Sequence, residues 1–222
     1  MKATPPKEGR RLKVSVKTQP DRPAAALGLI GNTPLLPLAR IGRDAPGVRL
    51  FAKAEWCNPG GSVKDRAAAS IIADAEASGR LRNGVTLLDA SSGNTGVAYA
   101  MLAAAKGYRL TLCIPRNANP QVLGLLRTYG AEVVLTDPLE GSDGAIRKAR
   151  RLAAEEPGRF LYLDQYNNPA NWRAHYRTTA AEIWEQTRGC VTHFVAGLGT
   201  TGTFIGTTRR LKELNPRVQA VA

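Results

Sequence analysis

The sequence lacks the features that would assign it to a membrane-spanning, disulfide-rich or metal-dependent class. No run of about 18 apolar residues occurs among its 222 residues, so nothing predicts a membrane-spanning helix. It has only 3 cysteines and 2 histidines, widely spaced, which predict neither a disulfide framework nor a zinc site nor a Ser-His-Asp triad. Because the N-terminus has no apolar signal segment, we expect a reducing, cytoplasmic setting with no membrane partner.

Acidic residues are also scarce relative to basic ones. The chain has 31 Lys+Arg against 18 Asp+Glu, a formal net charge of +13. Apart from short clusters at residues 10–13, 147–151 and 209–212, the basic residues are scattered, and no RNA-binding aromatic motif or zinc-finger spacing accompanies them. The charge therefore indicates attraction to anionic small molecules, and we expect no nucleic-acid partner.

The rest of the composition is that of an ordinary globular protein, with 43% hydrophobic and 22% charged residues. Residues 1–26 form a basic, proline-containing arm. After it, apolar strands alternate with amphipathic helices, which predicts an α/β fold with a mostly parallel sheet and helices on both faces. The predicted strands span residues 50–55, 86–89, 109–114, 132–135, 160–163, 193–196 and 218–222, and the predicted helices span 62–78, 96–106, 120–129, 142–154, 169–186 and 203–214.

The stretch NPGGSVKDRAA, residues 58–68, places Lys64 at the start of the helix predicted for 62–78. We expect Ser62 to be the N-cap and Asp65 to be the acidic half of a capping box. The positive end of the helix dipole disfavours a cation, which shifts the amine towards its neutral, nucleophilic form. A solvated surface lysine fits this local pattern equally well, whereas a nucleotide P-loop does not.

Two predicted strands end in glycine-rich loops that open into helices, the place where α/β sheets bind ligands. The first loop, DASSGNTGVAYA at residues 89–100, groups the polar residues Ser91, Ser92, Asn94 and Thr95 beside two glycines. Glycines let a ligand approach the backbone closely, and a helix start offers free N–H groups to an anion. A purely structural loop would hardly need so many polar side chains, so we expect a ligand-binding loop suited to a carboxylate.

The second loop, FVAGLGTTGTFIG at residues 194–206, contains Gly197, Gly199 and Gly202 in the G-x-G-x-x-G spacing of dinucleotide-binding units. That interpretation also requires an acidic residue at the end of the next strand, and the strand VQAVA has none. A smaller phosphate, held by the N–H groups of residues 199–203 and by threonine hydroxyls, needs no such acid.

A phosphate cradle, a carboxylate loop and a candidate nucleophilic lysine together suggest one cofactor. Pyridoxal 5′-phosphate carries both a phosphate and an aldehyde that forms a Schiff base with lysine. A phosphorylated sugar bound to a Schiff-base lysine, as in an aldolase, is the alternative. That chemistry is usually built on a barrel of eight βα units, for which this chain is too short.

Five motifs then resemble a known family. Together they are similar to the cysteine synthases, or O-acetylserine sulfhydrylases, which are fold-type-II pyridoxal-phosphate enzymes related to tryptophan synthase β. The GTTGT loop and the NNPAN...HYRTT segment resemble the B-type branch, some of whose members accept thiosulfate or a protein-borne thiocarboxylate as sulfur donor. The motifs, in chain order, are IGNTPLLPL (30–38), NPGGSVKDRAA (58–68), SSGNTG (91–96), LDQYNNPANWRAHYRTTAAEIW (163–184) and THFVAGLGTTGT (192–203).

The resemblance implies two three-layer αβα domains with mostly parallel twisted sheets, the second domain incomplete. Residues 27–53 and 166–222 would form the large cofactor-binding domain, and residues 54–165 a small mobile domain carrying the lysine and the substrate loop. Family members continue beyond the point where this sequence stops, and that part supplies the Ser or Thr facing the pyridine nitrogen. We therefore expect a fragment in which the apolar strands after residue 160 are exposed or covered by a partner.

The same resemblance implies roles for individual residues. Lys64 would be the Schiff-base lysine and the proton donor or acceptor at the substrate α-carbon, and Asn94 would hydrogen-bond the ring hydroxyl of the cofactor. The phosphate loop would comprise Gly199, Thr200, Thr201, Gly202 and Thr203. The residues that receive the amino-acid carboxylate would be Ser92, Gly93, Asn94, Thr95 and Gln165.

The implied activity is a β-replacement in which O-acetylserine loses acetate and a sulfur nucleophile adds to give cysteine. The resemblance also implies a homodimer, small-molecule substrates and, for some members, a sulfur-carrier protein. A cystathionine β-synthase or a serine/threonine dehydratase is the alternative within the same class, since SSGNTG is shared widely, but the Gln165 and HYRTT region favours cysteine synthase. From another class, the chain could be an inactive remnant that binds cofactor or a partner protein.

Overall fold

The computed structural model describes residues 27–222, so the predicted basic arm at residues 1–26 lies outside the described residues. The described chain has the mixed α/β fold that the sequence predicts. Its strands are Leu35–Pro37 (β1), Phe51–Lys53 (β2), Thr86–Ala90 (β3), Arg109–Pro115 (β4), Glu132–Thr136 (β5), Phe160–Tyr162 (β6), His193–Val195 (β7) and Gln219–Val221 (β8). Its α-helices are Lys64–Ala77 (α1), Asn94–Lys106 (α2), Pro120–Thr128 (α3), Gly141–Glu155 (α4), Pro169–Arg177 (α5), Thr179–Gln186 (α6) and Gly202–Leu214 (α7).

A parallel four-stranded sheet, in the order β5-β4-β3-β6, forms the centre of the middle part of the chain. Side chains alternate along its strands, so Leu87 packs in the cluster formed with α1, α2 and α3, while the neighbouring Leu88 packs against α4. Cys113 of β4 is fully buried on the α4 side, as expected of a core cysteine. The result is a three-layer arrangement in which the carboxyl ends of β3 and β4 lie side by side.

Two smaller sheets lie outside this unit. The strands β7 and β8 pair in parallel, and α6 and α7 pack on them through Ile183, Leu211 and Val218. The strands β1 and β2 pair antiparallel, and β1 is a short strand that the sequence analysis does not predict. Within residues 27–222, no helix is both long and apolar enough to cross a membrane.

The expected exposure of the late apolar strands is confirmed for β7 and β8 but not for β6. Val195 is 69% exposed and Val221 is 47% exposed, whereas Phe160 is only 8% exposed because it packs against α4. The division into a large and a small domain stays a prediction.

The predicted capping box at the start of α1 is wrong. The helix begins at Lys64, and Ser62 accepts a hydrogen bond from the Lys64 backbone N–H at 3.2 Å. The Asp65 carboxylate does not accept a hydrogen bond from the backbone N–H of the N-cap residue. It accepts instead from the Gly60 N–H at 2.5 Å and so closes the Gly-Gly turn. A β-carbon at Gly60 would lie 2.5 Å from that carboxylate, so this position requires glycine.

The single helix predicted for 169–186 is two helices, α5 and α6, that meet at Thr178. The Thr178 hydroxyl donates to the Ala174 carbonyl at 2.8 Å. A threonine hydroxyl bonded to the carbonyl four residues back bends a helix. The same hydroxyl accepts from the Arg66 guanidinium at 3.1 Å, so the bend brings α1 against the junction.

Candidate functional site

The carboxyl ends of β3 and β4 open onto a cavity of about 260 Å³. Parallel strands present their carboxyl ends at one edge, which is where the sequence predicts ligand-binding loops. Three segments far apart in sequence meet here: the start of α1, the loop between β3 and α2, and the loop between β7 and α7. Of the predicted site residues, the cavity brings together Lys64, Ser92, Gly93, Asn94, Thr95, Gln165, Gly199 and Thr200.

Lys64 is half-buried at the first position of α1. In the described part of the chain its amine makes no hydrogen bond and no ion pair with protein groups. Burial lowers the pKa of the Lys64 amine below its ordinary value. The expected direction of the shift is therefore present, with burial rather than the helix dipole as its main cause.

An ion network holds the helix that carries this lysine. Arg66, 3% exposed, donates to Glu55 at 2.7 Å and to Glu182 of α6 at 2.6 Å. Lys53 of β2 also pairs with Glu182, at 2.5 Å. Burial opposes ionisation of Glu182, but the hydrogen bonds from Arg66 and Lys53 lower its pKa to about 2. The start of α1 is thereby linked to β2 and α6 by charged groups that have little contact with water.

The loop between β3 and α2 presents polar side chains to the cavity. The Ser91 hydroxyl accepts from the Gly96 N–H at 3.0 Å and so organises the turn from within. Gly96 lies against the turn, since a β-carbon there would be 2.7 Å from the Ser91 carbonyl oxygen. By contrast, no hydrogen bond within residues 27–222 involves the side chains of Ser92, Asn94 and Thr95. These three side chains are therefore available to a ligand.

Gln165 forms the adjoining part of the wall. Its side-chain amide donates to the Ala90 carbonyl at 2.9 Å, and its backbone N–H donates to Asp89 at 3.3 Å. Asp89 is 1% exposed and also accepts from the Ala90 N–H at 2.8 Å. Burial raises the pKa of Asp89 to about 7, although these backbone hydrogen bonds lower it. Gln165 is thus held at both its backbone and its side chain by the end of β3.

The glycine-rich loop before α7 only partly faces the cavity. Gly199 and Thr200 line it, whereas Thr201 is exposed, Gly202 is buried and Thr203 lies behind the loop, 3.3 Å from the ring of His175. In the described part of the chain, the backbone N–H groups from Gly199 to Thr203 donate to no protein acceptor. Unpaired N–H groups at a helix start form an anion site.

Thr201 adopts a left-handed conformation, with φ +64°, at the N-cap of α7. This conformation is rare for a β-branched residue, and left-handed residues occur in the turns whose N–H groups bind anions. Together with the unpaired N–H groups, it gives residues 199–203 the form of an anion cradle.

Asn171 of α5 is a structural residue that the sequence analysis missed. Its amide donates to the Gln165 carbonyl at 2.8 Å and to the Thr200 hydroxyl at 2.9 Å, so it joins two walls of the cavity. A β-carbon on Gly202 would collide with the Asn171 side chain. Asn171 lies within the motif at 163–184, but only the fold reveals its contact with the second loop. Asn171 does not itself line the cavity; the lining residues not predicted as site residues are Ala90, Ser91, Pro115, Ser142, Ala145, Ile146 and Tyr166.

Comparisons with known proteins identify the family. The family model described as "Pyridoxal-phosphate dependent enzyme" matches residues 26–222. A cysteine synthase of Aquifex aeolicus is 50% identical over 197 residues, which cover 88% of this chain and 60% of that protein. Cysteine synthase B of Salmonella typhimurium is 50% identical over 192 residues, which cover 86% of this chain and 62% of that protein.

Solved structures show the same relationship. A cysteine synthase of Entamoeba histolytica superposes with a TM-score of 0.84 at 35% identity, covering 94% of this chain and 63% of that one. A hydrogen sulfide-producing enzyme of Fusobacterium nucleatum superposes with a TM-score of 0.83 at 38% identity, covering 88% of this chain and 64% of that one. The chain thus spans less than two thirds of the length of these relatives. Because the family model matches all of the described residues, the chain belongs to the pyridoxal-phosphate dependent enzymes.

Proposed function

We propose that the protein carries out the β-replacement that forms L-cysteine from O-acetyl-L-serine and a sulfur donor. One observation carries the proposal: a single cavity brings together a lysine amine and three polar loop side chains that have no partner within residues 27–222, and it is also lined by the first two residues of an anion cradle. The relatives named cysteine synthase support this choice within the family. Because the chain spans only part of their length, its activity, substrates and partners are all proposals.

The residues present fit pyridoxal phosphate. The free N–H groups from Gly199 to Thr203 suit its phosphate, and a β-carbon at Gly199 would meet nothing within 4 Å, so the backbone there is open to a ligand. The depressed pKa of Lys64 gives a larger neutral fraction of the amine that its aldehyde requires. When bound, the cofactor supplies an aldehyde for covalent attachment and a ring that withdraws electrons from the substrate.

The protein's own groups then have distinct tasks. The amine of Lys64 would hold the cofactor and would then move the proton at the substrate α-carbon. Asn94 would hydrogen-bond the ring hydroxyl of the cofactor and, together with Gly93, would help to receive the substrate carboxylate. The remaining carboxylate donors are Ser92, Thr95 and Gln165. Holding the carboxylate at fixed donors orients the Cα–H bond, which places the reacting groups before chemistry begins.

The proposal also covers the location, oligomeric state, domain movement and partners of the protein. We place the protein in the cytoplasm as a homodimer, with residues 54–165 moving as a small domain against residues 27–53 and 166–222. Small molecules are its substrates, and a sulfur-carrier protein is a candidate donor partner. Size-exclusion chromatography with light scattering tests the oligomeric state. A monomeric mass at all protein concentrations would contradict the proposed dimer.

Cofactor binding provides the first test. We expect the purified protein to develop the visible absorbance band of lysine-bound pyridoxal phosphate, and Lys64→Ala to abolish it. Lys212→Ala, which removes an exposed lysine on α7, is the matched control and should keep the band. A wild-type protein without the band, or a Lys64→Ala protein that retains it, would contradict the proposed site.

Turnover provides the second test. O-acetyl-L-serine with sulfide should yield cysteine, measured by mass spectrometry, and Gln165→Ala should raise the KM for O-acetyl-L-serine. Cystathionine from serine and homocysteine, without cysteine from the first pair, would assign the chain to cystathionine synthesis instead. A bound cofactor with neither product would identify this chain as an inactive cofactor-binding form.

A further inference from the structure

Gln165 lines the cavity and is held at three points by neighbouring groups. Its backbone N–H donates to the Asp89 carboxylate at 3.3 Å, and its backbone carbonyl accepts from the Asn171 amide at 2.8 Å. Its side-chain nitrogen donates to the Ala90 carbonyl at 2.9 Å. This is the only hydrogen bond of the Gln165 side chain within residues 27–222, so the second amide hydrogen is available to a ligand.

The backbone just before Gln165 is strained. Asp164 has φ +46°, in the left-handed region that residues other than glycine adopt uncommonly. Such conformations persist only where surrounding contacts hold them, and they concentrate at ligand sites. The Asp89 carboxylate supplies one of these contacts, at the residue that follows the bend.

Asp89 is buried and fixed in orientation at the end of β3. It is 1% exposed, and the Ala90 N–H donates to it at 2.8 Å. No basic side chain of residues 27–222 forms an ion pair with it, so its carboxylate serves the backbone of the cavity wall. The titratable side chains near it, on the elements packed around it, are Tyr99 of α2, Tyr162 of β6, Cys113 of β4 and Asp164.

We propose that Asp89 is a positioning residue, whose carboxylate holds Gln165 so that the free amide hydrogen of Gln165 meets the carboxylate of the amino-acid substrate. Asp89 does not line the cavity, so it acts through Gln165 and touches no ligand itself. An ionised acceptor makes a stronger hydrogen bond than a neutral one, so the ionised form of Asp89 holds Gln165 more firmly. The substrate part of this proposal rests on the proposed function, whereas the hold of Asp89 on Gln165 does not.

The first test is heteronuclear NMR of the isotope-labelled full chain. Burial raises the pKa of Asp89 to about 7. The backbone amide signal of Gln165 should therefore shift as the pH rises from about 6 to about 8. Asp89→Asn should abolish this shift, because the variant side chain does not titrate. Thr111→Val is the control and should keep the shift, since it removes a buried hydroxyl that contacts Glu132, away from the cavity.

The second test is binding of L-alanine to the cofactor-loaded chain, followed by the absorbance of the cofactor. L-alanine has the amino and carboxylate groups of the substrate but no leaving group. At about pH 8, Asp89→Asn should weaken binding about fivefold, since residues in one hydrogen-bond network couple with about this strength. At about pH 6 the wild-type Asp89 is mostly protonated, so the two proteins should bind alike. Thr111→Val should bind like the wild type at both pH values.

A double variant separates positioning from general damage to the fold. In a chain that already carries Gln165→Ala, adding Asp89→Asn should weaken L-alanine binding by less than about twofold, because the group through which Asp89 acts is gone. An undiminished effect of Asp89→Asn in that chain, or a wild-type Gln165 amide that does not follow pH, would overturn the proposal. A missing cofactor band would reject the proposed function, and the Gln165 amide would still decide whether Asp89 holds this residue.

Discussion

Asp89 has a carboxyl group whose titration should be visible in the stability of the whole protein. It lies at the end of β3, behind the cavity, and is 1% exposed. The groups around it are the backbone N–H groups of Ala90 and Gln165, the hydroxyl of Tyr99 and the more distant carboxylate of Asp164. Asp89→Asn keeps the shape of the side chain and removes its ability to ionise. It also replaces one of two accepting oxygens with an NH2 group, but that cost does not depend on pH, so the pH dependence isolates the titration.

The magnitude follows from the pKa of Asp89 in the folded and unfolded states. Burial raises it from 3.8 to about 7, so the folded protein binds the proton more tightly than the unfolded chain does. This stabilisation is complete below the unfolded pKa and is lost as the pH rises through the folded pKa. The shift in pKa corresponds to about 4 kcal/mol in the free energy of unfolding. About 3 kcal/mol of this contribution is lost between about pH 5 and about pH 8.

Urea unfolding of the wild type and of Asp89→Asn, measured at both pH values, gives the difference in free energy of unfolding. We expect the wild type to lose about 3 kcal/mol relative to the variant as the pH rises from about 5 to about 8. Asp74→Asn, which alters a surface ion pair with Arg80, is the control and should show little change in the same comparison. If the free energies of unfolding of the wild type and of Asp89→Asn differ by the same amount at both pH values, the raised pKa of Asp89 is refuted.

Two further predictions concern positions held by close contacts. Arg66→Ala should lower the free energy of unfolding by about 3 to 5 kcal/mol in urea titrations, because it leaves the half-buried Glu55 with no ionic partner among residues 27–222 and Glu182 with Lys53 alone; a loss below about 1 kcal/mol would show that solvent reaches these carboxylates. Gly202→Ala should weaken binding of pyridoxal phosphate by about tenfold or more in absorbance titrations, since its β-carbon displaces Asn171, whereas Gly197→Ala, with open space at its β-carbon, should bind normally. Equal affinities of the two alanine variants would contradict this reasoning.

The sequence predicts the fold and the main walls of the cavity because both depend on local patterns. Alternating strands and helices indicate a parallel sheet, and such a sheet brings the loops after its strands to one edge. The loop at residues 91–96 is predicted in this way, whereas Lys64 is singled out by its position at a helix start and by the family resemblance, and the cavity is lined by Lys64 and by residues 91–95 of the loop. The boundaries of most helices and strands also agree with the structure to within one or two residues.

The sequence does not reveal contacts between side chains that are far apart along the chain. Asp89 and Gln165 are separated by 76 positions, and no spacing rule connects them. The capping box failed for a related reason: the Gly60 N–H competes for the Asp65 carboxylate, which a pattern confined to the helix start does not include.

The ion network beneath α1 has a consequence for how this protein can change during evolution. Lys53, Glu55, Arg66 and Glu182 come from four separate segments, and their formal charges cancel. Replacing any one of them leaves a net charge in a poorly solvated place, whereas replacing a matched pair does not. Among related sequences these four positions should therefore covary, with substitutions appearing as charge-conserving sets rather than singly.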